Sequence, residues 1–440
     1  MARVPSTSIA RNSSPAQSAL NRKLRRWLAA QLCSLRDEII RSASRCAADH
    51  YRKHFFSFSH ACLLLFHGLS HEPSLRLSYA SFAASPGLMA LSGLASPAQD
   101  DALSVSFSQF AASNTSRPAA FLGGIVPVLV ERVRKAGPVS HASFPIDIHL
   151  LDSTILCLSL LLAPTLPRSL GNKAAMRVQL EYSPALDLPE QVLVTDTRTN
   201  DCLGLDRLIL DHPANLAELR DQTLIFDLGY YSHRRFERLL KAGVHFVSRL
   251  HPQASLCTLA NLPVQRQLNG LEAGRIQVLS DRIIRLGSSN NRAGAVLERM
   301  RLVEARVEPL KKAAQRGARA VVYRIVTDRW DLEAVDVIQL YLWRWQIELF
   351  LRWLKSHVRL DQLLGYSRNA IELSVWLAII VHLLSVLAAK ELHLGHRTPT
   401  LLALMRWALP HLEDVLHCQP HAEAPYQLPL PAWDLHPNPP

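Results

Sequence analysis

The segment YLWRWQIELFLRWLK, residues 341–355, combines one acid with several cations and three tryptophans. Drawn as one helix at about 100° per residue, it places its polar side chains within roughly 60° of one another. These are Tyr341, Arg344, Glu348 and Lys355, with Arg352 at the border of that face. A carboxylate among such cations can bind a metal ion while the cations bind a polyanion. An ordinary amphipathic helix with an Arg344–Glu348 pair produces the same pattern.

Two aspartates come at the ends of apolar, β-prone runs: Asp152 in HLLDST and Asp227 in LIFDLGY. A carboxylate just past a buried strand is held rigidly and stays solvated, which suits a metal ligand, although Asp is also a common turn starter. With Glu348 they supply enough oxygen ligands for two Mg²⁺ ions about 3.5–4 Å apart, with Mn²⁺ as a substitute. Such a site activates water or a 3′-hydroxyl for displacement at phosphorus, and no protein nucleophile is needed.

The order of β-prone and helical runs predicts an α/β fold around these acids. Three runs, PIDIHLLDST, AMRVQLEYS and QVLVTD, precede a helical stretch near 205–219. TLIFDLGYYS, a helix over His233–Lys241 and HFVSRL follow. This is the order of an RNase H-like core with a mixed sheet. RIQVLS and RIIRLG then predict a β-rich insertion, and VVYRIVTD predicts a strand that returns to the Glu348 helix.

The region before the core predicts an all-helical N-terminal domain that binds DNA, although a helical domain without DNA binding fits nearly as well. Leucines at helical spacing indicate a helix capped by Asn21 and ending near Arg45. Ser70 and Ser106 or Ser108 are candidate caps of later helices. The predicted divisions are a flexible N-terminus (1–20), the helical domain (21–136), the first part of the core (137–250), the insertion (251–320), the second part of the core (321–390), a C-terminal helical segment (391–418) that Thr398 caps, and a Pro-rich tail (419–440).

Composition limits the functional classes. The 440 residues are 48% hydrophobic, enough for a sizeable core, and the formal net charge of +12 favours nucleic acid or an anionic membrane surface as partner. The longest apolar run, Leu373–Ala389, contains His382 and falls slightly short of a bilayer span, so we predict a buried core helix. The N-terminal residues contain no apolar segment typical of a secretory signal, and we expect a cytoplasmic protein with no membrane partner.

The spacing Tyr-x2-Arg-x3-Glu-x6-Lys, at residues 341–355, resembles the signature of the insertion-sequence-4 family of bacterial DDE transposases. HLLDST resembles that family's first-acid motif, and FDLGYYS resembles the second with Asp-x-Gly-Tyr intact. HFVSRL, which contains Arg249, is similar to the core strand that follows. The resemblance covers roughly residues 140–390 and extends more loosely to HEPSLR and SFSQFAASNTSR upstream.

The resemblance implies Mg²⁺-dependent cleavage and joining of double-stranded DNA at transposon terminal inverted repeats and target DNA, by a homodimer. Asp152, Asp227 and Glu348 would be the catalytic, metal-binding acids. The predicted DNA-binding residues are Tyr341, Arg344, Lys355, Arg352, Arg249 and Tyr323. Tyr323 resembles the aromatic residue that holds a flipped base in relatives that cut through a DNA hairpin, although those relatives have Trp there. A strand tyrosine packed in the core is the alternative.

Three other functions fit parts of the sequence. An RNase H-like nuclease or resolvase shares the fold, but the Tyr, Arg and Lys around Glu348 favour a transposase. A catalytically silent DNA-binding protein descended from a transposase is disfavoured by the three intact acids. A membrane protein is disfavoured by the single short apolar run.

Overall fold

The chain divides into two compact units, residues 1–113 with 403–440 and residues 114–402. A computed structural model describes residues 15–50, 54–70, 72–95, 103–138, 145, 147–157, 175–264, 275–287, 295–309, 314–357, 363–365, 367–394 and 398–408. The predicted tail from 419 onward lies outside these residues.

The described part of the first unit is built from helices. They are α1 (Pro15–Arg45), α2 (Ser57–Leu69), α3 (Leu75–Ala83), α4 (Pro86–Ser92) and α5 (Phe107–Ser116), which crosses the boundary between the units. The start of α1 at Pro15 shows that the predicted Asn21 cap is wrong. Ser74, rather than Ser70, caps α3 by accepting from the Leu77 amide at 3.2 Å. Ser106 caps α5 as predicted. The backbone amide of Gln109 donates to the Ser106 hydroxyl at 3.3 Å, and the backbone amide of Ser106 donates to the Gln109 side-chain oxygen at 2.8 Å.

Two helices of the predicted N-terminal domain belong to the second unit. These are α6 (Ala120–Gly123) and α7 (Val126–Lys135), which pack against the long apolar helix α13 (Arg368–Glu391). The Asn369 side chain also donates to the carbonyls of Asn114 and Arg117 at 2.8 and 2.6 Å. The N-terminal segment of the first unit therefore ends at Ser113 and not at the predicted boundary of 136, because α6 and α7 pack in the second unit.

A nine-stranded mixed sheet forms the second unit, with strand order β3-β2-β1-β4-β5-β9-β8-β7-β6. The strands are β1 (Ile148–Cys157), β2 (Ala175–Ser183), β3 (Leu188–Asp196), β4 (Thr223–Phe226), β5 (His245–Arg249), β6 (Leu256–Asn261), β7 (Ile276–Leu286), β8 (Leu297–Val307) and β9 (Val321–Thr327). The first three are antiparallel, whereas β1, β4 and β5 run parallel. This arrangement of β1 to β5 confirms the predicted order of strands.

The predicted insertion continues the same sheet. RIQVLS and RIIRLG, predicted as separate pieces, lie on the single long strand β7. Strands β6 to β9 form an antiparallel meander, and β9 also pairs with β5. The insertion is therefore held by continuous backbone hydrogen bonds to the strands that carry the acids.

Helices cover both faces of the sheet. One face packs against α8 (Asp201–Leu205), a π-helical turn (Asp206–Leu210), α9 (Pro213–Glu218) and α10 (His233–Lys241), the last with the predicted bounds. Phe236 and Phe246 stack there with ring centroids 4.3 Å apart. The other face packs against α11 (Ala334–Trp343) and α12 (Trp345–His357), and Tyr182 stacks on Phe350 at 4.8 Å. Each burial removes a large aromatic surface from water, which stabilises the layers by about 1.5–3 kcal/mol per side chain.

The segment predicted as one helix over 341–355 is two helices that meet at Arg344. The backbone of Arg344 keeps right-handed helical angles, but the Arg344 amide bonds to the Tyr341 carbonyl and the Ile347 amide bonds to the Arg344 carbonyl. These i→i−3 bonds tighten the backbone to a 3₁₀-like turn that interrupts the α-helix at Arg344. Tyr341 consequently belongs to α11, whereas Glu348 lies in the first turn of α12.

The predicted core helix is α13, which Ser367 caps through the Ala370 amide at 3.1 Å. Among the described residues it is the one helix long and apolar enough to cross a bilayer, and 89% of its most apolar window is buried. It packs against α6, α7 and β3, as a core helix of a globular fold does. The helix α14 (Thr398–Ala408) includes Thr398, the predicted cap, as its first residue.

Candidate active site

Parallel pairing of β1 with β4 brings the two aspartates together. Leu151 lies opposite Phe226 in the register, so Asp152 and Asp227 occupy the next equivalent positions of neighbouring strands. Strands in a sheet lie about 4.7–4.9 Å apart. The sheet thus holds two carboxylates side by side.

Arg344 connects the first aspartate to the glutamate. Its Nη1 lies 3.5 Å from Asp152 Oδ2, and its Nη2 lies 2.7 Å from Glu348 Oε1. The Arg344 side chain is only 13% exposed, and its guanidinium points from the junction of α11 and α12 toward Asp152 on the sheet. The three predicted acids therefore converge at one place, held by β1, the end of β4 and α12.

The two aspartates have different electrostatic environments. Burial raises the pKa of Asp152 to about 6, against the opposing effects of the Ser153 amide and the Arg344 charge. Burial also acts to raise the pKa of Asp227, but hydrogen bonds from Tyr341 and the Leu228 amide, together with nearby arginine charges, lower it overall. Asp227 is accordingly the more firmly ionised of the pair.

Tyr341 holds Asp227 directly. Its hydroxyl donates to Asp227 Oδ1 at 2.7 Å, and the Tyr341 side chain is buried. Burial and the charge of Asp227 raise the pKa of this hydroxyl above its usual range, so it remains a hydrogen-bond donor. Tyr341, which was predicted to contact DNA, therefore orients the Asp227 carboxylate.

The other predicted DNA-binding residues surround the acids. Lys355 Nζ donates to the Thr154 hydroxyl on β1, and the exposed Arg352 lies 5.8 Å from the Trp345 ring centroid. Tyr323 is half-buried, with its ring centroid 5.6 Å from that of Tyr341 and 5.7 Å from the Arg249 guanidinium carbon. All of them are on the α11–α12 side of the sheet or its border, near the acids.

Sequence reasoning missed a polar network behind Asp152. The Ser153 amide donates to Asp152 Oδ1 at 2.8 Å, and the Ser153 hydroxyl donates to Asp201 Oδ1 at 2.7 Å. Arg177 pairs with the same Asp201 oxygen. Only the position of Ser153 beside Asp152 hinted at this network, because Asp201 reaches it through the packing of α8.

Sequence reasoning also missed a buried cluster of His149, Glu181 and Glu190, whose ligand atoms lie within 4.8 Å of one another. His149 Nδ1 lies 2.9 Å from Glu181 Oε1, and Arg134 pairs with Glu190. Although this donor set suits a metal, Arg134 and, when it is protonated, His149 supply two positive charges that balance the two glutamates. The geometry is that of a buried ion network.

We expect this network to make stability depend on pH. Burial acts to lower the pKa of His149, but Glu181 and Glu190 outweigh it and raise the pKa above 6.5. The stabilisation is therefore complete below pH 6.5 and is lost as pH rises through the higher folded-state pKa. The difference in unfolding free energy between wild type and His149→Gln should shrink from pH 6 to pH 9 in urea titrations. A difference independent of pH would contradict a protonated His149.

Residues 167–384 match the family model described as "Transposase DDE domain". This segment of the chain is therefore a transposase DDE domain. The segment that matches the DDE domain contains Asp227 and Glu348 and begins after Asp152.

Two curated relatives of this DDE transposase domain were found. The chain is 27% identical over 243 residues to "Putative transposase y4zB" of Sinorhizobium fredii (strain NBRC 101917 / NGR234), covering 55% of this chain and 61% of the relative. It is 25% identical over 241 residues to "Probable transposase for insertion sequence element IS5377" of Geobacillus stearothermophilus, covering 55% and 56%. The matches thus span about three fifths of those relatives' length. The cryo-EM structure of the piggyBac transposase synaptic complex with hairpin DNA is similar with a TM-score of 0.44 and 8% identity, over 92% of this chain and 86% of that one.

Proposed function

We propose that this chain is a cut-and-paste transposase that binds the ends of an insertion sequence and catalyses Mg²⁺-dependent DNA strand cleavage and strand transfer. The observation that carries the proposal is the convergence of Asp152, Asp227 and Glu348 on one side of the sheet. We further infer that β1 to β5 with α11 and α12 are an RNase H-like catalytic core. The helical first unit and the net charge of +12 support DNA as the partner.

The donor set fits a hard divalent cation. Three carboxylates face one location and supply only oxygen ligands, the type that Mg²⁺ and Mn²⁺ prefer. Bound there, two such ions would activate water or a 3′-hydroxyl and stabilise the leaving 3′-oxygen. Tyr341 orients Asp227, and Arg344 separates Asp152 from Glu348, so each acid has a defined direction.

The direct test is a strand-cleavage assay with duplexes that carry the DNA flanking the gene, including its inverted repeats. We expect nicking at the element end in Mg²⁺ or Mn²⁺, and none after chelation with EDTA. End binding without cleavage would favour a catalytically silent DNA-binding protein. Cleavage without preference for the ends would favour a nuclease. Crosslinking on end DNA tests the proposed homodimer.

We expect Arg344→Ala to weaken end binding and to reduce its salt dependence. Arg344 faces the place where the scissile strand would lie, so DNA binding by the variant should release about one counterion fewer. The plot of the logarithm of the binding constant against the logarithm of the salt concentration should therefore be less steep by about 1. The matched control is Arg368→Ala, which removes the arginine of another i,i+4 pair with glutamate on α13. If Arg344→Ala and the control have the same slope as wild type, Arg344 acts only through Asp152 and Glu348.

Tyr323 is proposed to stack on an extruded base during second-strand cleavage. Its ring is only half-buried, and it lies beside Arg249 and Tyr341 on the side of the sheet that carries the acids. Such a stack stabilises the flipped base by about 1–3 kcal/mol. We expect Tyr323→Ala to nick the first strand and accumulate nicked ends, whereas Tyr323→Phe forms hairpins normally. Hairpin formation by Tyr323→Ala at the parental rate would show that this role is wrong.

A further inference from the structure

Asp201 connects the two strands that carry the aspartates, although it lies on the opposite face of the sheet. Successive side chains of a strand point to opposite faces, so Ser153 points away from the side that carries Asp152. Its hydroxyl donates to Asp201 Oδ1 at 2.7 Å. Arg177 Nη1 donates to the same carboxylate oxygen and to the Ser153 hydroxyl, the latter at 3.1 Å. The first strand is therefore tied to Asp201 immediately beside its acid.

The second oxygen of Asp201 packs against the turn that follows Asp227. A Cβ placed on Gly229 would lie 2.6 Å from Asp201 Oδ2, a distance that real Cβ atoms do not adopt. The Cys202 thiol next to Asp201 also donates to the Gly229 carbonyl at 3.4 Å. Close approach of the carboxylate thus requires glycine at this position. The Asp-x-Gly-Tyr spacing places that glycine two residues after the acid.

We propose that Asp201 is a positioning residue that sets the separation of Asp152 and Asp227 for metal binding. This rests on the proposed function, since it requires those acids to hold the cation. One carboxylate contacts Ser153, next to the first acid, and Gly229, just past the second. Without it, Ser153 and Arg177 lose their common acceptor, and sheet hydrogen bonds alone fix the distance between the acids. A misplaced pair binds metal more weakly while the protein surface that meets DNA is unchanged.

The test compares Asp201→Ala with wild type in the full-length chain, because asparagine would keep an oxygen that accepts from Ser153 and Arg177. Mn²⁺ affinity is measured by titration calorimetry without DNA, and the half-saturating Mg²⁺ concentration is measured in strand cleavage. We expect both to weaken by about 10–100-fold, the range found when groups that orient metal ligands are removed. End binding in EDTA should be unchanged, and high Mg²⁺ should restore most of the cleavage. Asp211→Ala is the matched control, because Asp211 is exposed and pairs with Arg238 outside this network.

Ser153→Ala provides a second, milder variant. It removes one hydroxyl and should weaken Mn²⁺ binding in the same direction by a smaller factor. Because Asp201→Ala and Ser153→Ala break the same hydrogen bond, the double variant should bind Mn²⁺ no more weakly than Asp201→Ala alone. Additive losses would overturn the proposed path through Ser153.

Two results distinguish failure of this inference from failure of the proposed function. Wild-type Mn²⁺ affinity in Asp201→Ala, whether cleavage is retained or lost, would overturn the positioning role while wild type still binds metal and cuts DNA. A wild-type chain that binds no Mn²⁺ and cuts no DNA would overturn both the proposed function and the role of Asp201.

Discussion

Replacing Asp152, Asp227 or Glu348 with alanine should abolish strand cleavage. Each acid comes from a different element, so the remaining two cannot move to replace the missing oxygen ligands. Loss of about 4 kcal/mol of transition-state stabilisation corresponds to a rate decrease on the order of 10³-fold. The measurement is the single-turnover rate of nicking on end DNA at saturating Mg²⁺.

DNA binding by the same three variants should survive, because lysine and arginine supply most of the affinity for phosphates. Glu348→Gln is the most informative substitution, since glutamine can still accept from Arg344 while it lacks the charge that a cation requires. Glu372→Gln on α13 is its matched control, since it changes the acid of the Arg368–Glu372 pair. Full cleavage by Glu348→Ala would show that Glu348 is not a catalytic residue.

The strands of the core were predictable because each is a short β-prone run bounded by proline, glycine or polar residues. AMRVQLEYS, for example, coincides with β2. The continuation of the sheet through the insertion was not predictable. It depends on the pairing of β9 with both β5 and β8, which joins residues far apart in sequence and leaves no local signal.

The candidate site was likewise predictable from the sequence only in part. Fixed spacing marks Glu348, and Asp227 follows the end of β4 as predicted. The predicted position of Asp152 at a strand end is wrong, because β1 continues to Cys157 and places Asp152 inside the strand. The contact of Tyr341 with Asp227 was not predicted, because the segment was drawn as one helix and no proline or glycine marks the turn that interrupts it at Arg344. Asp201 was missed because its contacts to Ser153 and Gly229 arise only after α8 packs on the sheet.

The second large effect concerns stability and involves Arg301 on β8. Its guanidinium bonds to both carboxylate oxygens of Asp281 on β7 at 3.1 and 2.8 Å, and both side chains are almost fully buried. Its Nη1 also donates to the carbonyls of Arg329 and Leu332 at 2.9 and 2.6 Å. The Arg301 side chain therefore links two parts of the fold. One is the pair of insertion strands β7 and β8, and the other is the loop that leads into α11, the helix that carries Tyr341.

We expect Asp281→Ala to lower the free energy of unfolding by about 3–5 kcal/mol, because it leaves a buried guanidinium without its anion. The measurement is the urea midpoint, with Glu308→Ala as control. Glu308 pairs with Arg306 at an exposed position, so its loss should change stability by no more than about 0.5 kcal/mol. An effect of Asp281→Ala as small as that of the control would contradict the burial of the pair.

A double variant separates the uncompensated charge from the lost packing. Asp281→Leu with Arg301→Met removes both charges and keeps apolar volume, so it should be more stable than Asp281→Ala. Recovery should remain incomplete, since the carbonyls of Arg329 and Leu332 lose their donor. Because that loop positions α11, the double variant should also nick end DNA more slowly than wild type even where it is fully folded. Wild-type nicking by the folded double variant would show that Arg301 stabilises the fold without positioning Tyr341.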